Sequence, residues 1–239
     1  MLHASGALWL PEIRTALVAD VHLGYGWAQR RRGQLGPVED LRTQPKLDRL
    51  MTELQPERLV ILGDIVHAPR PAPAERELVE GIVHNLASSA ELILVLGNHD
   101  RGFLRDYPGL PIRCCQTWYT EGLLAVHGHR PAAIAEDAIT VLGHLHPALG
   151  VVDDAGASQR IPVFLVSEKV IVLPAFSPFA VGFDVRRPIP REVRTVLGKG
   201  QIEVIAATGR RTVRLGALQA VRTMRTPEGP QFWRANTSR

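Results

Sequence analysis

Three short runs of leucine and β-branched residues constrain this chain more than any other feature: TALVAD (15–20), RLVILGD (58–64) and ELILVLGNHD (91–100). Each reads as a buried strand that stops abruptly in polar residues. Between them, 46–54 and 74–88 carry apolar residues at helical spacing. Pro69, Pro71 and Pro73 mark a loop before the second helix. A β-α-β-α-β order needs crossover connections, so the expected class is an α/β fold with parallel pairing.

Further strands follow at GLLAVHGH (122–129) and AITVLGHLH (138–146). Their shorter spacing predicts hairpin or meander connections. Two more, around 161–166 and 169–173, complete the core, and VLPAFSPFA (172–180) closes it with proline-bounded turns. Beyond about 187 the texture changes. RRPIPRE reads as a linker, QIEVIAATGRRTVRLGAL as a hairpin turning at Thr208–Gly209, and RTPEGPQFWRANTSR as an irregular, disordered tail. The expected organisation is a domain over 1–187 and a basic C-terminal extension over 188–239.

Charge follows that division. Residues 185–239 hold 12 Lys or Arg against 3 Glu, while the whole chain is only +4, so the body is mildly acidic. A basic tail suggests an anionic partner, nucleic acid first. The competing explanation is arginine-rich codon usage (25 Arg, 3 Lys) on a solvated surface. No apolar run is long enough to cross a bilayer, and MLHASGALWLPEIR lacks the basic start and long apolar segment of a secretion signal. The expectation is a soluble, cytoplasmic protein with no membrane partner. Cys114 and Cys115 are adjacent, a poor geometry for a staple, and are expected to be reduced. Phosphate loops of the GxxxxGK type are absent.

The polar strand ends carry the chemistry. The first three supply Asp20 and His22, then Asp64, then Asn98, His99 and Asp100; the next two supply His127 and His129, then His144 and His146. Counting His67, seven of the nine histidines fall at or just beyond these ends. One histidine there would most simply be a packed core residue; seven together are not explained that way. The carboxyl ends of α/β strands converge on one crevice. Carboxylate, imidazole and amide without thiolate suit Mn, Fe, Zn or Mg rather than a structural zinc cage. The set is too large for one ion, which argues for two. Asp64, costly to bury at a strand end, is then neutralised as the bridge between them.

In order, DVH, GDIVH, GNHD, VHGH and GHLH resemble the binuclear metallophosphoesterase (calcineurin-like phosphoesterase) superfamily over roughly 15–180. That resemblance implies an αββα sandwich with the di-metal site at the carboxyl ends of the strands. It places Asp20, His22, Asp64 and His146 on one ion, and Asp64, Asn98, His127 and His144 on the other. His99 becomes the candidate general acid, and Arg101 and His129 candidate phosphate contacts, against plain readings as a surface arginine and a supporting histidine. DVHLG, GDIVH, GNHDR, GHLHPA and VLPAFSPF resemble the bacterial DNA-ligase-associated DNA damage response endonucleases, while RRGQLGPVEDLRT (31–43) departs from that branch. The branch implies a manganese-dependent cut in DNA, expected to be single-stranded, in repair, with a DNA ligase and a helicase in the same pathway. Many superfamily members carry aspartate at position 67, where it orients the catalytic histidine. His67 is read as a donor to the scissile phosphate or leaving group, against a packing role. The competing functions are a phosphoesterase acting on a nucleotide or other non-DNA phosphoester, and a binding module that has lost its chemistry. The intact ligand set speaks against the latter.

Overall fold

Alternation along the strands decides which layer each residue enters. The computed structural model describes residues 1–35, 42–130, 137–152, 157–180, 182–188, 194, 197–198 and 200–223. In it β1 (Leu8–Leu10), β2 (Thr15–Ala19), β3 (Arg58–Leu62), β4 (Glu91–Val95) and β5 (Arg113–Cys115) form one sheet in that order. β2 to β5 run parallel, and β1 is antiparallel to β2. The helices α1 (Tyr25–Arg31), α2 (Thr43–Leu54) and α3 (Pro73–Ala87) lie in the crossovers, and a short α4 (Phe103–Asp106) precedes β5. Ala16, Val18, Leu59, Ile61, Leu92 and Leu94 pack with Leu47 and Leu50 of α2 and Val79 and Val83 of α3. Their neighbours Leu17, Ala19, Val60, Leu62, Ile93 and Val95 pack on the opposite face, against a second sheet. The period of two thus supplies two cores from the same strands.

The second sheet contains β6 (Trp118–Thr120), β7 (Leu123–Val126), β8 (Ile139–Leu142), β9 (Pro147–Val152), β10 (Ser158–Val166), β11 (Val170–Val172), β12 (Phe183–Asp184), β13 (Glu203–Ala207) and β14 (Thr212–Ala217). Its order is β12-β9-β10-β11-β8-β7-β6, with β13 added to β10 and β14 to β13. Leu123, Ala125, Val141 and Phe164 face the first sheet. The mixed α/β class is as the sequence led us to expect.

One expectation is corrected. β7 and β8 are not a hairpin but a parallel pair, Leu123 opposite Ile139 through Val126 opposite Leu142, and β8 is parallel to β11 as well. Parallel pairing brings both strand ends to one rim; a hairpin would have sent His127 and His144 to opposite ends. Part of the connection, residues 131–136, lies outside the described residues. Residues beyond 187, read as a basic extension, pack onto the second sheet. The expected hairpin forms as β13 and β14, but β13 pairs antiparallel with Val163–Val166. Ile202, Val204 and Ala206, with Leu218 and Val221 of α5 (Leu218–Thr223), bury beside Val163, Leu165 and Val172. The terminal stretch read as irregular, from 224 onward, lies outside the described residues.

Deleting residues 188–239 is therefore expected to destroy the cooperative fold. Each large apolar side chain left exposed costs about 1.5–3 kcal/mol, against a total stability of about 5–15 kcal/mol. Thermal melting of the truncated chain checks this; a soluble product with a sharp transition would show that the hairpin is dispensable. Among the described residues no helix is long and apolar enough to cross a membrane. Cys114 and Cys115 are not joined in a disulfide.

Candidate metal centre

The chain leaves its strands through strained turns. Asp20 (φ 56°), His22 (50°), Asp64 (51°), His144 (66°) and His146 (45°) all adopt left-handed backbone conformations. Side-chain-bearing residues stay there only when their surroundings hold them, and such strain collects at functional sites. Here hydrogen bonds do the holding. His22 N–H donates to the Asp64 carbonyl (2.8 Å), Asp20 N–H to that of Gly63 (3.2 Å), and Gly143 N–H to that of His127 (3.0 Å). His144 N–H donates to Asp20 Oδ2 (2.8 Å). A Cβ at Gly63 would collide with the His127 ring, and one at Gly97 with the Asp64 carboxylate. The two glycines therefore clear the ground that the site occupies.

Two clusters result. Asp20, His22 and His146 each offer a donor atom, all within 4.8 Å of one another, and so do Asp64, His127 and His144. The clusters meet at His127, whose Nδ1 lies 3.8 Å from Asp20 Oδ1 and whose Nε2 lies 3.5 Å from Asp64 Oδ2. Nδ1 donates to the Leu62 carbonyl at 2.8 Å. In the neutral ring Nε2 then carries only a lone pair, yet it faces Asn98 Oδ1 at 3.1 Å as well as Asp64. Lone pairs converging from three residues call for a cation between them, and a backbone carbonyl behind a histidine is the usual support of a metal-binding ring. Asp20 Oδ1, His22 Nδ1 and His146 Nε2 are buried without hydrogen-bond partners. Asp20 Oδ1 and His146 Nε2 are 3.1 Å apart but not aligned as a hydrogen bond. Each such orphan costs about 1–3 kcal/mol if nothing binds it. The residues fit two divalent ions.

The electrostatics of His22, His144 and Asp20 agree with that fit. Burial drives the His22 ring down to about 3, and burial, then the neighbouring His127, lowers His144. Both shifts favour the neutral imidazole, the form that binds metal. Burial alone would raise Asp20, but the rings of His146, His127 and His22 outweigh it and hold its carboxyl below the usual range. For His146 burial pulls down, and the Asp20 charge reverses the balance, leaving it raised.

The other expected residues gather around these clusters. The His22 ring lies 5.3 Å from those of both His67 and His99 and 5.4 Å from that of His146. His129 sits 5.2 Å from His127 and 6.3 Å from His144. All seven histidines singled out in the sequence thus converge. Of the remaining two, His3 pairs with Glu53 and His84 lies on α3. Arg101 is exposed on the 3-10 turn His99–Gly102. His99 Nδ1 donates to the backbone carbonyl of His67 at 2.6 Å, which leaves Nε2 on the Asp64 side, 3.9 Å from Oδ2. The main chain at position 67, not its side chain, therefore orients His99.

Asp100 was grouped with the ligand types in the sequence but given no role. Its buried carboxylate accepts from the backbone N–H groups of Asp64 (2.7 Å), Gly97 (2.8 Å) and Ile65 (3.1 Å). It thereby ties the turn of Asp64 to that of Asn98. Burial pushes its carboxyl up to about 6, against the pull of the Gly97 bond. The GNHD motif places Asp100 in the chain, but its partners Asp64 and Ile65, more than thirty residues away, leave no local signal. Asp100→Asn keeps the shape while turning one acceptor into a donor that faces N–H groups. A supporting group of this kind is worth roughly 10–100-fold in metal affinity, the loss expected in a metal titration of this variant. Unchanged affinity would leave Asp100 with packing alone.

Residues 13–172 match the family model for calcineurin-like phosphoesterases. The crystal structure of Pseudomonas putida nuclease MPE is similar at 29% identity and a TM-score of 0.66, covering 89% of this chain and 93% of that one. Yfce, a phosphoesterase from E. coli, is 18% identical with a TM-score of 0.41, over 84% of this chain and 98% of its own. Comparison with curated protein sequences finds no match. The family model covers β2 to β11 and every strand end that carries the two clusters, so the chain belongs to the calcineurin-like phosphoesterases, metal-dependent hydrolases of phosphoester bonds.

Proposed function

We propose that this protein is a manganese-dependent phosphodiesterase that cuts single-stranded DNA in repair. The observation that carries the reading is the pair of triads flanked on one side by His67 and His99. The likeness to a nuclease over nearly the whole chain supports it. Asp20, His22, Asp64 and His146 would hold one ion; Asp64, Asn98, His127 and His144 the other. Two ions held there would supply charge neutralisation for the phosphoryl oxygens and a water of lowered pKa for in-line attack. The chain's own residues do the rest. His99, its Nδ1 proton committed to the His67 carbonyl, acts as general acid through a second proton on Nε2. Arg101 and His129 contact phosphate oxygens.

His67 contacts the phosphate or the leaving group. Its ring is partly buried and stacks near that of His99; burial first, then the charges of His99 and Arg32, lowers its pKa to about 4. It is then a neutral hydrogen-bond donor, suited to an anion that the two ions have already partly neutralised. Since the backbone of residue 67 orients His99, an aspartate side chain there has no orienting work to inherit. His67→Asp is therefore expected to lose DNA cleavage at least as completely as His67→Ala, with metal content retained. Full DNA cleavage by His67→Asp would refute the phosphate contact.

The deciding experiment offers labelled single-stranded, duplex and flapped DNA with Mn, Mg or Zn, and adds unlabelled single strands to hydrolysis of a chromogenic phosphodiester. Single strands with Mn should be cut fastest and should compete. Hydrolysis of the chromogenic ester with neither cleavage of DNA nor competition by it would favour a nucleotide or other non-DNA phosphoester.

A further inference from the structure

Beside His67, two aromatic rings from distant parts of the chain lie nearly parallel. The Tyr25 and Phe179 rings are 5.3 Å apart with their planes 6° from parallel, and Tyr25 meets the His67 ring edge-on at 4.8 Å. Both are only half-buried. Neither is loosely attached. Phe179 follows a segment clamped to the first strand end: Phe176 N–H donates to the Ala19 carbonyl (2.7 Å) and Ser177 N–H to that of Asp20 (3.1 Å). Phe179 N–H then donates to Ser177 Oγ at 3.3 Å. On the other side, α1 is fastened along the loop that follows Asp64. His67 N–H donates to the Leu23 carbonyl (2.8 Å), and Leu23 N–H to that of Ile65 (2.8 Å). Arg31 Nη1 donates to the Arg70 carbonyl at 3.1 Å and pairs with the buried Glu75 at 2.9 Å. The backbone segments that carry the two rings are thus tied to those of His67 and Asp20. Arg32 is exposed at the end of the same helix.

We propose that Tyr25 and Phe179 form a stacking subsite for one unpaired nucleic-acid base next to the scissile phosphate, with Arg32 placed for the adjoining phosphate. The proposal rests on the reading of the protein as a DNA phosphodiesterase and deepens it, because it supplies a reason for single strands. A base can reach a ring face only when it has left its duplex partner. Stacking is tolerant of sequence, since every base presents a π-face, and an arginine beside it adds charge without reading identity. Preformed rings also bind without the entropy cost of ordering them. The metal centre itself cannot supply this preference, because its residues meet only phosphoryl oxygens, which single and double strands share.

The test compares oligothymidylate with a strand of the same length built wholly from abasic tetrahydrofuran residues, using the manganese-loaded full chain. Both carry the same phosphates; only one carries bases. The native protein should cut oligothymidylate with a kcat/KM roughly 10-fold or more above that for the abasic strand. Phe179→Leu and Tyr25→Leu should bring this ratio towards one, whereas Tyr25→Phe, which keeps the ring, should preserve it. A native ratio near one overturns the subsite and leaves the DNA phosphodiesterase standing. So does a native-like ratio in both leucine variants, or an equal fall on both strands, which would mark the rings as packing alone. If the native protein cuts neither strand, the DNA reading fails and the subsite falls with it.

Discussion

Asp64→Ala is expected to lower turnover roughly 10³-fold or more, because metal ions contribute several kcal/mol to such transition states and each 1.4 kcal/mol is a factor of ten. Asp64 is the ligand that the proposed assignment shares between the two ions. Its Oδ2 lies 3.5 Å from His127 Nε2 and 3.9 Å from His99 Nε2, while Oδ1 accepts from the His99 N–H at 2.9 Å. Removing the carboxylate takes away the shared negative charge and one of the bonds that seat the His99 turn. Alanine also sits poorly at the φ of 51° found there, so Asp64→Asn is the companion variant. Asparagine tolerates that backbone and keeps the shape, but it cannot neutralise two ions. Both variants should lose bound metal on elemental analysis and lose activity together, with Asp64→Asn melting closer to the native temperature. An Asp64→Ala protein that keeps two ions and normal turnover would end the two-metal mechanism.

The second large effect concerns His99, which lies beside the centre without belonging to either triad. His99→Ala should retain its metals but lose roughly 10²–10⁴-fold on substrates whose leaving oxygen must be protonated. A nitrophenolate leaves without much help, so its ester should suffer far less. The split between the two substrates is the informative quantity. A residue that merely packed against Asp64 would slow both alike, and equal losses would exclude the general-acid role. Rate measurements on a DNA strand and on a nitrophenyl ester, with metal content determined on the same preparation, provide the check.

What could be read from the sequence was whatever repeats within a few residues. The unbroken apolar runs in TALVA, RLVIL and ELILV specified strands buried on both faces, since neighbouring side chains point to opposite sides of a sheet. The polar residues at their ends were legible as a site for the same local reason. Each follows directly on a buried strand, and parallel strands deliver such ends to one rim. Tertiary structure decided everything that depends on pairing between distant segments. The parallel arrangement of Leu123–Val126 with Ile139–Leu142 could not be inferred from their separation, because the strands themselves read the same in either direction. The residues beyond 187 looked like an appendage because their charge and prolines differ from the body; their apolar alternation nevertheless completes the sheet at Val163–Val166. Asp100 lies in a legible motif, yet its work is done on Asp64 and Ile65 across two strands. Tyr25 and Phe179 share no spacing, and only the folding of the strand ends onto one another sets them face to face beside His67. Local periodicity determined the elements and which residues cluster at their ends; long-range packing, which closes gaps between segments that carry no mutual signal, decided which of them touch.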